Sequence, residues 1–102
     1  MMRVPQWMSV DVKEWIRANK PLQIIDVRQP GEYMSGHIPG AKLIPLNELP
    51  QRFQEIDKNQ DSVIVCHSGG RSSMACEFLQ GQGFNKIHNL MGGMSMWDGD
   101  VE

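Results

Sequence analysis

The stretch Val63–Ser73 reads VIVCHSGGRSS and brings a thiol, two glycines, a guanidinium and hydroxyls into one short segment. Three β-branched residues lead into Cys66, which reads as the end of a buried strand. Gly69 and Gly70 permit backbone conformations closed to other residues, so the loop HSGGR can turn successive N–H groups inward. A helix pattern opens near Ser72, and its positive end faces the same loop. Arg71 adds a full charge. Each of these favours thiolate over thiol, so the Cys66 pKa should lie below the free value of ~8.5. The thiolate is a nucleophile, and the nest that stabilises it can also hold an anion or a negative group attached to the sulfur.

The elements around this segment must place it. Ser9 reads as an N-cap, and the helix after it sets Val12, Trp15 and Ile16 on one face, with Asp11 suited to its first turn. LQIIDV (22–27), KLIP (42–45), SVIVC (62–66) and KIHNL (86–90) read as strands. Leu46, Leu49, Phe53 and Ile56 recur at helical spacing, with Pro50 near the start of that segment. SSMACEFLQGQG (72–83) reads as a helix with Met74, Phe78 and Cys76 inward, closed by Gly81 or Gly83. QPGEYMSGHIPGA (29–41) is a loop rich in Pro and Gly with a helical turn at 31–35, and MGGMSMW (91–97) is a turn opening a last helical segment. Strands alternating with helices predict an α/β fold with a mainly parallel sheet. Ligands of such sheets bind at the carboxyl ends of strands, which is where Cys66 falls.

Composition narrows the function classes. The chain has 102 residues, 40% hydrophobic and 22% charged, with a net charge of −2. That is one domain of ordinary size, with no excess of positive charge for nucleic acid or an anionic membrane. No apolar run nears the roughly 18 residues that span a bilayer, and the first residues lack a signal-peptide core, so a cytoplasmic location is expected. There are two cysteines, Cys66 and Cys76, without CxxC or HxxxH spacing, and the three histidines are scattered. Neither a disulfide nor a metal site is expected, and no cofactor. Cys76 reads as a packed core thiol, and Trp97 with Met91, Met94 and Met96 as packing residues.

Three motifs together resemble the rhodanese-like domain in its single-domain form: IIDVRQPGEYMSGHIPGA (24–41), CHSGGRSS (66–73) and NLMGGMSMW (89–97). The likeness spans residues 4–97. It implies a three-layer fold, a five-stranded mainly parallel sheet flanked by helices. It implies thiosulfate sulfurtransferase chemistry, in which the Cys66 thiolate takes a sulfane sulfur as a persulfide and passes it to a thiol or cyanide. The donor would be a small thiosulfate-like anion, with a protein donor or acceptor as a further partner. In this reading backbone N–H groups of His67, Ser68, Gly69, Gly70 and Arg71 cradle the terminal sulfur, and Arg71 orients the anionic donor. Ser72 opens the helix behind the loop. Asp26 and Arg28 brace the loop and neighbouring turns, and His37 is a hydrogen-bonding turn residue. Related cysteine phosphatases and arsenate reductases carry one residue more between cysteine and arginine, a wider cradle for a tetrahedral oxyanion. The four residues here suit a persulfide. The alternatives are a persulfide carrier or sensor, or a partner-binding module, without its own turnover, and after these a Cys-dependent phosphatase or arsenate reductase, which the short loop disfavours.

Overall fold

Strand β4 (Ser62–Val65) is buried along its whole length and lies at the centre of a five-stranded parallel sheet in the order β1-β5-β4-β2-β3. The computed structural model describes residues 3–102. The other strands are β1 (Gln6–Trp7), β2 (Gln23–Asp26), β3 (Lys42–Leu43) and β5 (Ile87–Leu90). Registers pair Asp26 with Val65, Ile64 with Asn89 and Trp7 with Leu90. The carboxyl ends of the four inner and edge strands β1, β5, β4 and β2 therefore form one rim. Sequence reasoning missed β1. Two residues after Pro5 are too few to show a period, and they become a strand only by pairing with β5.

The helices are α1 (Ser9–Arg17), α2 (Pro30–Met34), α3 (Leu49–Arg52), α4 (Gly70–Gly81) and α5 (Gly93–Met96). Short 3-10 turns at Leu46–Glu48 and Phe53–Glu55 flank α3, so the expected helix over 46–56 is broken rather than continuous. Side chains alternate across the sheet. Ile64 and Cys66 join Ile25, Ala75, Cys76 and Leu79 in one core on the α4 side. Val63 and Val65 join Val12, Ile24, Ile38 and Leu90 on the other, with Met94 and Trp97 packed against them. This alternation sends the Cys66 side chain to the α4 face.

Several expected placements are corrected. Met8 rather than Ser9 caps α1. Its N–H donates to Asp11 Oδ2 at 2.7 Å, and the Ser9 hydroxyl donates to Asp98 Oδ1 at 2.6 Å. Ile16 is exposed, because Val12 and the half-buried Trp15 already fill the narrow contact of this helix with the sheet. Met74 points outward on α4, whose inner face is Ser72, Ala75, Cys76 and Leu79. Met91 and Met96 are exposed, while Met94 and Trp97 pack.

Candidate active site

Cys66 follows β4 directly, and α4 begins at Gly70, two residues earlier than its apolar pattern suggests. The loop proper is thus only His67, Ser68 and Gly69. Its turn depends on Gly69, which caps α4 with φ 105°, a left-handed conformation that side chains disfavour. A Cβ there would also sit 3.4 Å from Gly92 N. Gly70 is different. Its φ is not positive and a Cβ would meet nothing within 4 Å, so the expectation that both glycines supply unusual backbone holds for Gly69 alone.

Cys66 is buried, 1% exposed as a residue, at the amino end of α4. The Gly69 N–H donates to Sγ at 3.0 Å. The Ser72 hydroxyl lies 3.2 Å from Sγ and shares a hydrogen bond with it. Burial pushes the Cys66 thiol up. The Ser72 hydroxyl and the backbone N–H groups of Ser72, Gly69 and Ser68 act against it and prevail, so the pKa falls below the ordinary thiol value. The fall anticipated from the sequence thus arises chiefly from hydrogen bonds close to the sulfur, with the Arg71 charge a lesser contributor. His67 and Ser68 have exposed side chains, and His67 enters the site through its backbone.

Ser72 does more than open the helix. It is fully buried, and its hydroxyl donates to Asn89 Oδ1, with Gly69 C=O also 3.2 Å away. Asn89 Nδ2 in turn donates to Gln6 Oε1 at 2.8 Å. One hydroxyl proton therefore has the sulfur, Gly69 C=O and Asn89 Oδ1 as competing acceptors. Asn89 and Gln6 went unremarked in the sequence. A polar residue within an apolar strand, as in KIHNL, was the available signal for Asn89.

Arg71 does not point its fork at the sulfur. Its two terminal nitrogens donate to Glu32 Oε1 and Oε2 at 2.7 and 2.8 Å, joining α4 to α2. Glu32 also accepts from the N–H of Gln29, the N-cap of α2, at 3.0 Å, as the third residue of that helix. The Arg71 guanidinium, aided by that N–H, holds the Glu32 carboxyl down at about 2. Glu32 was missed as a site residue, although it is the acidic residue of the EY pair in the first motif.

The third motif supports the loop from behind. Gly93 has φ 54°, and a Cβ there would lie 2.3 Å from Cys66 C=O. Close approach lets Met94 N–H donate to Cys66 C=O at 2.8 Å and Ser95 N–H to His67 C=O at 2.9 Å. Asp26 and Arg28 form a buried bidentate pair. Arg28 Nη2 also donates to Gly36 C=O at 2.7 Å, so the pair fastens the turn before His37. The link from this segment to the loop is the Val27 N–H, which donates to Val65 C=O at 2.9 Å. His37 stacks on Tyr33, bonds Tyr33 C=O through Nδ1 at 2.9 Å, and shares two backbone hydrogen bonds with Glu102. Cys76 is buried in the core, and burial pushes its thiol up to about 12. Among the described residues, no three His, Cys, Asp or Glu are grouped to hold a metal.

Comparison with known proteins agrees with this fold. The family model for the rhodanese-like domain matches residues 9–100. The chain is 36% identical over 101 residues to the putative sulfurtransferase YtwF of Bacillus subtilis, covering 99% of this chain and 97% of that protein. It is 39% identical to the putative sulfur carrier protein YrkF of the same organism, covering 97% of this chain but only 54% of YrkF, about half its length. The crystal structure of a rhodanese-like domain protein from Staphylococcus aureus superposes with a TM-score of 0.90 at 36% identity, over 97% of each chain. The parallel sheet agrees with these matches, and the chain belongs to the rhodanese-like domain family.

Proposed function

We propose that the protein is a sulfurtransferase that carries sulfane sulfur as a persulfide on Cys66. The observation that carries this reading is the set of donors gathered around one buried cysteine, the Gly69 N–H at 3.0 Å and the Ser72 hydroxyl at 3.2 Å. Such a cradle favours a thiolate before reaction and an anionic persulfide after it. The names of YtwF and YrkF support the same chemistry.

In the first half-reaction the Cys66 thiolate attacks the outer sulfur of a donor such as thiosulfate. A sulfur–sulfur bond forms at Cys66, the donor's sulfur–sulfur bond breaks, and sulfite leaves with the electron pair. In the second, a thiol or cyanide attacks the outer sulfur of the persulfide and restores the thiolate. The sulfane sulfur changes hands, the donor being the only oxidant the acceptor needs. Ser72 and the N–H groups of Ser68 and Gly69 hold the negative sulfur in both states. Cys76, with its thiol near 12, stays protonated and takes no part.

The test is steady-state turnover of thiosulfate and cyanide to thiocyanate. Parallel lines in double-reciprocal plots are expected, as for two separated half-reactions. Cys66→Ser should remove turnover, and Cys76→Ser should leave it nearly intact. Persistent turnover in Cys66→Ser would refute the assignment.

A further inference from the structure

We propose that Glu32 selects the class of sulfur donor: by clasping Arg71 it commits the loop's arginine, so that the site favours carriers of low negative charge over the thiosulfate dianion. This rests on the persulfide reading above and adds the identity of the residue that sets its specificity.

Between Cys66 and Ser73 the sequence contains one Lys or Arg, Arg71. Both terminal nitrogens of its guanidinium face the two carboxylate oxygens of Glu32. The carboxylate is fixed in turn by the Gln29 N–H, so the clasp has three hydrogen bonds. The pair is about one third exposed on each side, open to solvent and to an incoming donor. The nearby Arg28 is likewise committed, to Asp26. The ionised side chains 32 and 71 therefore sum to zero, and the Cys66 thiolate presents one net negative charge. A dianion meets that charge with twice the repulsion of a monoanion. To use Arg71, it would first have to displace Glu32.

Two donors separate charge from chemistry. Thiosulfate is a dianion and methanethiosulfonate a monoanion. Each gives its outer sulfur to the Cys66 thiolate by the same bond exchange, with sulfite or methanesulfinate leaving. The readout is the ratio of kcat/KM for thiosulfate to that for methanethiosulfonate. Glu32→Gln frees a positive charge and should raise the ratio about tenfold. Arg71→Gln leaves Glu32 unpaired and should lower it by a similar, roughly tenfold, factor. The double variant restores a sum of zero and should return to within about threefold of the natural ratio. High salt should erase the gain of Glu32→Gln. A clasp that merely holds α2 on α4 would depress both donors together and leave the ratio fixed in all four proteins, which would overturn the proposal.

A second measurement needs no variant. In the natural protein, kcat/KM for thiosulfate should stay level or rise with added salt, because the net encounter is repulsive. A steep fall would mean that Arg71 meets the donor as a free cation, and the proposal would be wrong. Failure of both donors to load Cys66 in the natural protein would instead reject the sulfur-transfer reading and this inference with it.

Discussion

At the scale of the residue, the chemistry depends on a contest at Cys66. Burial favours the thiol, and hydrogen bonds from Ser72 and the loop favour the thiolate. The Ser72 hydroxyl is the largest contributor on the thiolate side, so Ser72→Ala should raise the Cys66 pKa. Alkylation by iodoacetamide followed against pH measures this directly. The rate follows the thiolate, so the rising limb should move to higher pH in the variant and the rate at pH 7 should fall. An unmoved limb would show that backbone N–H groups suffice. The same substitution leaves Asn89 Oδ1 without its donor, a buried loss of about 1–3 kcal/mol. Cys76 should resist alkylation at pH 7 in the native protein, being fully buried with its thiol near 12.

At the scale of the element, three short pieces hold the loop: the start of α4, the clasp from α2, and the turn into α5. Gly93→Ala should move the loop, because its φ is 54° and an added Cβ would collide with Cys66 C=O and His67 C=O. A loss of about 1–3 kcal/mol in stability is expected, with a larger proportional loss of turnover than of fold. Gly70→Ala meets no neighbour within 4 Å and should be neutral or slightly stabilising in urea unfolding. Equal effects at the two positions would contradict the assignment of strain. The Glu32–Arg71 clasp has a definite pH window. The Glu32 pKa is lowered from 4.5 to about 2, so the clasp contributes above pH 4.5 and is lost as pH falls towards 2. As a pair about one third exposed on each side, it should contribute only about 0–1 kcal/mol to stability. Much of this scale was legible in the sequence. SVIVC announced a buried strand because every residue in it faces a core, and CHSGGRSS announced a strand, a turn and a helix start. What escaped were contacts between elements. Nothing local in EYMSG says that its glutamate reaches Arg71, and nothing in NLMGG says which backbone Gly93 must approach.

At the scale of the whole molecule, the parallel sheet aligns strand ends so that residues distant in sequence meet at one rim. The rim joins Gln6 after β1 begins, Asn89 on β5, Cys66 after β4 and Arg28 after β2. The fold class was readable from the alternation of elements, since each strand needs a crossover to return parallel. β1 was not, because an edge strand of two residues has no period of its own. The buried Asp26–Arg28 pair ties the rim beside β4 to the turn at Gly36, with side chains 1% and 6% exposed. Asp26→Ala would leave that guanidinium without its carboxylate in the interior. A loss of about 3–5 kcal/mol is expected, measured by urea denaturation. A loss below 1 kcal/mol would mean that Gly36 C=O and water satisfy Arg28 alone. Among the described residues no helix is long and apolar enough to cross a membrane.

The central claim is that one cysteine, at the amino end of α4, carries the sulfur. Intact-mass measurement of the protein after exposure to a sulfane donor, followed by peptide mapping, tests it most directly. The account predicts a gain of one sulfur atom, located on the peptide containing Cys66 and removed by cyanide with an equal amount of thiocyanate. Sulfur found on Cys76, or a protein that gains no sulfur from either thiosulfate or methanethiosulfonate, would contradict it.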